Sequence, residues 1–331
     1  LGRRAVRRYV AGKVLQAFLT LAFVLVFNFF LFRVMPGDPI ALLLRGTSAI
    51  SAETVRELER DLGLDQPLPR QFLTYSADTL TGNLGLSLTT GRPVTEEIGA
   101  RIWPTVLLVG ASTIASAFLG LLIGIYGGWR RGSAFDVGSL GFSLVAYAMP
   151  EFWFGILVLL ALAGGVGFFP AIFPTGGYQT PGADLTGFGH VVDVLNHMAL
   201  PWLTLTVAYL GEYALIMRSS ILDVMGEDFV TTARAKGLRE KQVLWRHTVP
   251  NALLPTITVT FLGLGFVFAG AITIEYVFSW PGLGLLTVTA IDDKDFPLLQ
   301  ALFLLFSAAV IVFNLIADLL YASLDPRVRA G

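Results

Sequence analysis

The sequence predicts an all-α polytopic membrane protein with about six transmembrane helices. Hydrophobic residues make up 54% of its 331 residues and charged residues only 14%, and the mean hydropathy is +0.69. A soluble domain carries about 25% charged residues. The apolar residues also fall into six long runs, each close to the roughly 20 residues that a helix needs to cross the hydrocarbon core. We therefore expect the apolar surplus to face lipid.

The predicted spans form one membrane domain over residues 1–331. They are residues 14–35, 104–127, 134–163, 198–217, 254–278 and 298–321. The third run is long enough for a tilted or bent helix, and Pro150 and Gly155 provide a place for the bend. The first run, at about 22 residues, exceeds the apolar core of a secretory signal peptide, so we expect it to remain as an uncleaved span.

Lysine and arginine set the predicted orientation, because short loops rich in these residues stay in the cytoplasm. With the N-terminus inside, the inner segments hold Arg3, Arg4, Arg7, Arg8, Lys13, Arg130, Arg131, Arg218, Arg234, Lys236, Arg239, Lys241, Arg246, Arg327 and Arg329. The two short outer loops hold only Lys294. Both termini and the loop 218–253 are therefore predicted to be cytoplasmic. Residues 36–103 are predicted to form an extracytoplasmic insertion with a short helix from Ser51 to Leu62.

Several classes of chemistry are excluded by the sequence. It has no cysteine, which rules out disulfides, thiolate metal sites and a cysteine nucleophile. The net charge of -1 gives no basic field for nucleic acid. The sequence also lacks the Gly-x-x-x-x-Gly-Lys-Ser/Thr loop that cradles phosphates and the His-Glu-x-x-His arrangement that binds zinc. We expect no catalytic activity and no cofactor in this chain.

The inner loop from Asp228 to Arg239, with Glu240 to His247 after it, reads as a helix, a glycine turn and a second short helix. Phe229 and Ala233 are predicted to share one helical face, and Gly237 to supply the left-handed residue that ends the helix. Such a hairpin has a shape suited to docking in a groove of a partner protein. A solvated basic connector fits the residues alone equally well.

The inner loop resembles the cytoplasmic loop of ABC-importer permeases. That family's pattern is Glu-Ala-Ala, three residues, Gly, and a Pro thirteen residues later. Thr231-Thr232-Ala233 stands at the first three positions, with a departure at the first two, Gly237 at the Gly and Pro250 at the Pro. The longer string from Asp228 to Leu238 is similar to the peptide-permease branch. The resemblance assigns a coupling loop comprising Asp228, Phe229, Thr231, Thr232, Ala233, Arg234, Ala235, Lys236, Gly237, Leu238 and Pro250.

Four further segments resemble the dipeptide and oligopeptide permeases, in the same order along the chain. They are Met35–Pro39, Gly82–Ser87, Glu275–Gly284 and Leu324–Arg327. One departure is Asn83, which stands where that branch more often has Asp. Together with the loop, the resemblance covers nearly the whole chain.

The resemblance implies a type I ABC importer permease fold in the cytoplasmic membrane of a prokaryote. It further implies a second homologous permease, two cytoplasmic subunits that bind ATP and Mg, and an extracytoplasmic peptide-binding protein. The implied cargo is di- or oligopeptides, and import of nickel, glutathione or oligosaccharide by the same family is the alternative. An ion-coupled secondary transporter or a membrane-bound enzyme is a more remote alternative.

Polar residues within spans are costly, so each needs a reason. We expect Glu151 and Glu275 to line the transport pathway, and Glu212 to pair with Arg218 inside the bundle. Asp318, Asn28 and Asn314 are expected to form hydrogen bonds between helices.

Overall fold

The computed structural model describes residues 2–34, 66–165, 170–267 and 271–324. Within those ranges all regular secondary structure is helical, apart from one isolated β-bridge between Leu86 and Pro93. The predicted all-α class is confirmed. The predicted helix Ser51–Leu62 and the segment Met35–Pro39 lie outside the described residues. Of the segment Leu324–Arg327, only Leu324 is described.

The helices include long apolar helices and shorter helices that connect them. In chain order they are α1 (Gly2–Val34), α2 (Leu68–Thr81), α3 (Val94–Thr105), α4 (Ala111–Trp129), α5 (Ala134–Ala148), α6 (Glu151–Leu162), α7 (Phe188–Met225), α8 (Asp228–Ala235), α9 (Glu240–Gln242), α10 (Val249–Val267), α11 (Ile272–Val277), α12 (Leu283–Asp292) and α13 (Phe296–Leu324). Two π-helical segments continue one helix into the next: Val106–Gly110 joins α3 to α4, and Val243–Thr248 joins α9 to α10.

Four stretches of the described chain are long and apolar enough to cross a membrane as single helices. They are Arg8–Phe32, Val94–Trp129, Phe188–Met225 and Phe296–Leu319. A fifth candidate is the pair α5 and α6, which is bent by 101°. Because α5 ends at Ala148 and α6 starts at Glu151, the bend lies at the predicted position, Pro150.

The fifth predicted span, 254–278, is divided in the structure. Helix α10 begins earlier, at Val249, directly after the π-helical segment Val243–Thr248. Pro250 therefore lies inside a continuous helix, where it has no N–H to donate to the preceding turn. Ile272–Val277 then forms a separate short helix, α11. The apolar composition runs through both helices, so hydropathy alone could not separate them.

The centre of the molecule is the contact between α4 and α7. Three glycines spaced four residues apart on α4, Gly120, Gly124 and Gly128, face α7. A Cβ atom at Gly124 would lie 2.6 Å from the Cβ of Met217, and one at Gly128 would lie 2.8 Å from a methyl of Ile221. Small residues at this spacing let two membrane helices approach closely. The glycines therefore set the distance between α4 and α7.

An ion pair holds the start of α5 against α7. Arg218 donates to the Asp136 carboxylate through Nε at 2.6 Å and through Nη2 at 3.1 Å. The predicted partner of Arg218, Glu212, was therefore wrong. Asp136 is buried at 3% exposure, and its carboxylate also accepts the N–H of Gly132. The two partners are 82 residues apart, so local spacing could not reveal them.

Polar bonds also tie α1 to the rest of the bundle. The amide of Asn28 donates to the Tyr75 hydroxyl at 2.9 Å and to the Gln300 carbonyl at 3.0 Å, so the predicted interhelical bonds of Asn28 are present. Asp318 on α13 forms an ion pair with Lys13 on α1 at 2.9 Å. The side chain of Asn314 makes no hydrogen bond to another described residue.

Candidate functional site

Between α7 and α10 the chain forms a helical hairpin, residues 226–248, on the side predicted to be cytoplasmic. Helix α8 ends at a left-handed glycine, since Gly237 has a φ of 79°. The N–H of Gly237 donates to the Arg234 carbonyl at 2.9 Å, and the N–H of Leu238 donates to the Ala233 carbonyl at 3.4 Å. These two bonds form the Schellman motif that commonly ends a helix. The predicted glycine turn is thus present in the structure.

The interior of the hairpin is apolar and includes a residue predicted to lie on its surface. Val230, Ala233 and Val243 are buried at 0%, 4% and 0% exposure, and they pack with Trp129 at the end of α4. The predicted docking face of Phe229 and Ala233 is therefore wrong for Ala233. Helix α8 must bury one stripe to stay attached to the bundle, and Val230 and Ala233 supply it. Phe229 remains 41% exposed.

Arg234 connects three parts of the structure. Its guanidinium donates to the Glu240 carboxylate through Nε at 3.1 Å and Nη2 at 3.3 Å, which joins α8 to α9. The same guanidinium lies over the Trp129 ring, 5.4 Å from the ring centroid. The ion pair is exposed and contributes little stability by itself. The paired bonds and the ring contact do fix the angle between the hairpin and α4.

The outer surface of the hairpin carries most of the residues assigned to the coupling loop. Those exposed are Asp228, Phe229, Thr231, Thr232, Arg234, Ala235, Lys236, Gly237 and Pro250, and Leu238 is half-buried. A second large apolar side chain is also exposed here, Trp245, at 40%. Sequence reasoning missed Trp245, although a tryptophan within a charged inner loop was a visible signal. Exposed Phe229 and Trp245 give the hairpin an apolar surface suited to a protein partner.

The hairpin continues into α10 through the π-helical segment Val243–Thr248. The Thr248 hydroxyl donates to the Val243 carbonyl, five residues back, at 3.2 Å. Leu244 within this segment is buried with Met217 and Ile221 of α7. π-Helical turns inside α-helices are rare, and those that do occur are often found at functional sites.

Glu151 stands at the start of α6, directly after the bend. Its carboxylate is partly exposed and accepts a hydrogen bond from the Thr273 hydroxyl at 2.8 Å. Among the described residues, no lysine or arginine pairs with it. A carboxylate in a membrane protein normally faces a cavity or a partner when it has no counter-ion. The role of Glu151 as a pathway-lining residue stays a prediction.

Glu275 is completely buried, at 0% exposure, and the predicted pathway-lining position was wrong for this residue. Its Oε1 accepts the Thr105 hydroxyl at 2.8 Å. Its Oε2 accepts the backbone N–H groups of Gly284 at 2.7 Å and Leu285 at 3.1 Å, in the first turn of α12. Glu275 therefore takes the place of an N-cap side chain, which the local N-cap residue, Gly282, cannot provide.

The same cluster explains two glycines and a tryptophan in the segment Glu275–Gly284. A Cβ at Gly282 would overlap the Glu275 carboxylate and the Thr105 hydroxyl. A Cβ at Gly284 would lie 2.7 Å from the Cα of Ile272, in the backbone of α11. The buried Trp280 donates its indole N–H to the Pro104 carbonyl at 2.9 Å, just before the first π-helical segment. The segment thus locks α11 and α12 onto α3.

The described ranges contain no cluster of three or more His, Cys, Asp or Glu residues that could hold a metal ion. The predicted absence of a metal site in this chain stays a prediction, as does that of a cofactor.

Comparison with known proteins gives close relatives along nearly the full length. A putative peptide permease protein of Brucella suis biovar 1 is 36% identical over 323 residues, which cover 97% of this chain and 99% of the relative. A glutathione transport system permease protein of Pectobacterium atrosepticum is 37% identical, with 97% and 98% coverage. A dipeptide transport system permease protein of Escherichia coli strain K12 is 36% identical, with 90% and 91% coverage.

Two family descriptions together match most of the chain. Residues 6–108 match the N-terminal part of the membrane component of binding-protein-dependent transport systems, and residues 120–330 match the inner membrane component itself. The second match alone spans more than half of the chain and includes the hairpin. These matches confirm the family that was predicted from the resemblance of the loop 228–239 and the four further segments. The chain belongs to the family of inner membrane components of binding-protein-dependent transport systems, the ABC-importer permeases.

Proposed function

We propose that this chain imports peptides as one permease subunit of an ATP-driven transporter in the cytoplasmic membrane of a prokaryote. A second, homologous permease completes the pathway, and an extracytoplasmic binding protein delivers the peptide. Two cytoplasmic subunits bind ATP and Mg and hydrolyse the nucleotide, because this sequence has no phosphate-binding loop of its own. The names of the relatives, two of which are peptide or dipeptide permeases, support the cargo.

The observation that carries the proposal is the attachment of the hairpin to the membrane helices. Its apolar core is shared with Trp129 of α4 and Val224 of α7, and Arg234 adds a second contact to Trp129. A partner that grips the exposed Phe229 and Trp245 therefore pulls on the ends of two long helices, not on a free loop. Such an attachment suits the transfer of a motion from cytoplasmic ATPases into the membrane.

In the proposed cycle, ATP binding closes the two ATPase subunits and displaces the hairpin docked on them. Packed helices switch between discrete arrangements because well-packed interfaces do not deform continuously. The free energy comes from the different affinity of ATP for the two arrangements of the complex. Both chain termini lie in the cytoplasm in this arrangement, as the lysine and arginine distribution predicts.

Glutathione is a second candidate cargo, because a glutathione transport system permease is as similar to this chain as the peptide permeases are. Nickel and oligosaccharides are less favoured, since neither occurs in the names of the relatives compared above. Uptake of labelled dipeptide, with unlabelled glutathione or dipeptide as competitor, separates the first two cargoes. Uptake that survives ATP depletion but not collapse of the proton gradient would favour an ion-coupled transporter.

The docking surface is tested by Phe229→Ser and Trp245→Ser in the assembled transporter. A central apolar contact contributes about 2 kcal/mol to a protein interface, which corresponds to about thirtyfold in affinity. Both variants should therefore lose most of the copurifying ATPase subunits and of the peptide uptake. The control is Ile291→Ser, an apolar side chain on α12 that is also exposed, at 57%, in a segment predicted to lie on the outer side of the membrane. Parental ATPase binding and uptake in both hairpin variants would contradict the proposal.

A further inference from the structure

A polar groove lies between α1 and α13, near the end of each helix that is predicted to be cytoplasmic. Its volume is about 210 Å³. The polar side chains that line it are Lys13, Gln16 and Thr20 on α1 and Asn314 and Asp318 on α13. Residues three, four and seven positions apart share one face of a helix, so each set forms a continuous polar stripe. Two polar stripes therefore face each other across the groove.

The groove is open towards the surroundings of the chain. The Lys13 and Asp318 side chains, paired at 2.9 Å, keep 29% and 40% of their surface exposed. Gln16 and Asn314 are exposed as well, and their side-chain amides form no hydrogen bond within the described chain. The Lys13 ammonium has three donors and Asp318 has two acceptor oxygens, so the pair leaves capacity on both partners. The groove thus offers a cation, an anion and two free amides.

The neighbouring surface of α1 is apolar and faces lipid. Leu15, Phe18 and Leu19 are 57%, 66% and 57% exposed. A polar amide that faces hydrocarbon without a hydrogen bond costs several kcal/mol, in the range of about 2–7. The described residues supply no hydrogen-bond partner to these amides, so the groove favours a polar occupant over an acyl chain.

The depth of the polar groups matches the layers of a lipid headgroup. Lys13 directly precedes the apolar run of the first span, which places it at the membrane boundary. Gln16 lies about 4.5 Å deeper along α1, and Asn314 lies about 6 Å deeper than Asp318 along α13, at 1.5 Å per residue. Charged groups at the surface with hydrogen-bond donors one turn below follow the order of phosphate and ester carbonyls in a glycerophospholipid.

We propose that this groove binds a glycerophospholipid with a phosphoethanolamine headgroup. The Lys13 ammonium binds the lipid phosphate, and the Asp318 carboxylate accepts hydrogen bonds from the lipid ammonium. The amides of Gln16 and Asn314 donate to the ester carbonyls. A choline headgroup offers no N–H to Asp318, and a glycerol headgroup offers no positive charge. Hydrogen bonding to Asp318 therefore disfavours the choline lipid and charge complementarity disfavours the glycerol lipid, and together they select the ethanolamine lipid.

The test uses the purified full-length chain, stripped of lipid in detergent and offered equal amounts of three phospholipids with identical acyl chains. Native mass spectrometry counts the bound ethanolamine, choline and glycerol lipids. We expect the ethanolamine lipid to be retained about two- to fivefold over the other two, the effect of one partly exposed charged contact. Asp318→Asn should reduce this preference to about one. Asp293→Asn, the same change at an exposed position after α12, should leave it intact.

Two further variants keep the proposal open to refutation if Asp318→Asn folds poorly. Lys13→Gln should weaken retention of all three lipids, because all carry the phosphate. Gln16→Leu, which removes no charge, should also weaken all three by removing a donor to the ester. Equal binding of the three lipids to the parent chain, or an ethanolamine preference that survives Asp318→Asn, would overturn the proposal. A further result would also overturn the proposal. If Gln16→Cys cross-links to another subunit in an assembled transporter that retains no ethanolamine lipid, the groove is a subunit interface.

Discussion

A single methyl group at Gly124 should force α4 and α7 apart. A Cβ there would lie 2.6 Å from the Cβ of Met217 and 2.7 Å from the Ala214 carbonyl oxygen. Carbon atoms in contact are separated by about 3.5–4.0 Å, so a gap of about 1 Å must open. Neither neighbour can rotate away, because one atom is backbone and the other is the first atom of its side chain.

The net cost of Gly124→Ala combines two opposing contributions. Overpacking a well-packed contact costs about 1–3 kcal/mol. Alanine is a better helix former than glycine by about 1 kcal/mol, which offsets part of this cost. We expect Gly124→Ala to destabilise the folded chain by up to about 2 kcal/mol and Gly124→Val by more.

The matched control for Gly124→Ala is Gly138→Ala on α5, where a Cβ would meet nothing within 4 Å. That variant should be neutral or stabilised by up to about 1 kcal/mol, because only helix propensity changes. The assay is unfolding by sodium dodecyl sulfate in mixed micelles, followed by tryptophan fluorescence. If both variants unfold at the same detergent fraction as each other, the close approach of α4 and α7 does not limit stability and the reasoning fails.

Three further predictions follow from the hydrogen-bond network, the sequence motifs and the charge distribution. Glu275→Ala removes the acceptor of two buried donors and one partly buried donor and should lower the free energy of unfolding by about 2–4 kcal/mol in the same micelle assay. Parental stability would show that the carboxylate does not cap α12. The purified chain alone should neither bind nor hydrolyse ATP, and turnover that persists after removal of contaminating ATPases would contradict this. Reporters fused after Arg131 and Gly237 should be cytoplasmic and one near Asp184 external; an external reporter at Gly237 would invalidate the coupling role of the hairpin.

Local sequence rules predicted the parts of the molecule that depend on neighbouring residues. The glycine turn at Gly237 follows from one residue's freedom to adopt a positive φ, and the bend at Pro150 follows from the missing N–H of proline. The existence of the long apolar helices follows from composition. These features need no knowledge of what packs against them.

The errors in the placement of side chains all concern which neighbour a side chain meets across the bundle. Ala233 was assigned to an exposed surface because its spacing from Phe229 places both residues on one helical face. In the structure the buried face of α8 instead contains Val230 and Ala233. The sequence of the helix alone does not indicate which of its faces packs against the bundle. Glu275 was predicted to line the pathway, because the three donors that satisfy it come from α3 and α12 and could not be recognised in the sequence. The burial of these side chains depends on contacts between residues that are distant in the sequence, and such contacts cannot be predicted from a single sequence.

The contacts at the end of the bundle that is predicted to be cytoplasmic determine how a displacement of the hairpin spreads. Trp129 belongs to the hairpin core and ends α4, and the preceding Gly128 touches α7 at Ile221. The Arg218 ion pair with Asp136 adds the start of α5 to the same unit. These contacts join the hairpin and the ends of α4, α5 and α7 into one packed unit. The connection to α10 is different, because it runs through the π-helical turn, which is less regular than an α-helix and frequent at functional sites. A pull on the hairpin thus acts directly on α4 and α7 and reaches α5 through the Arg218 ion pair, whereas α10 is joined to the hairpin through the π-helical turn and also packs against α4 and α7.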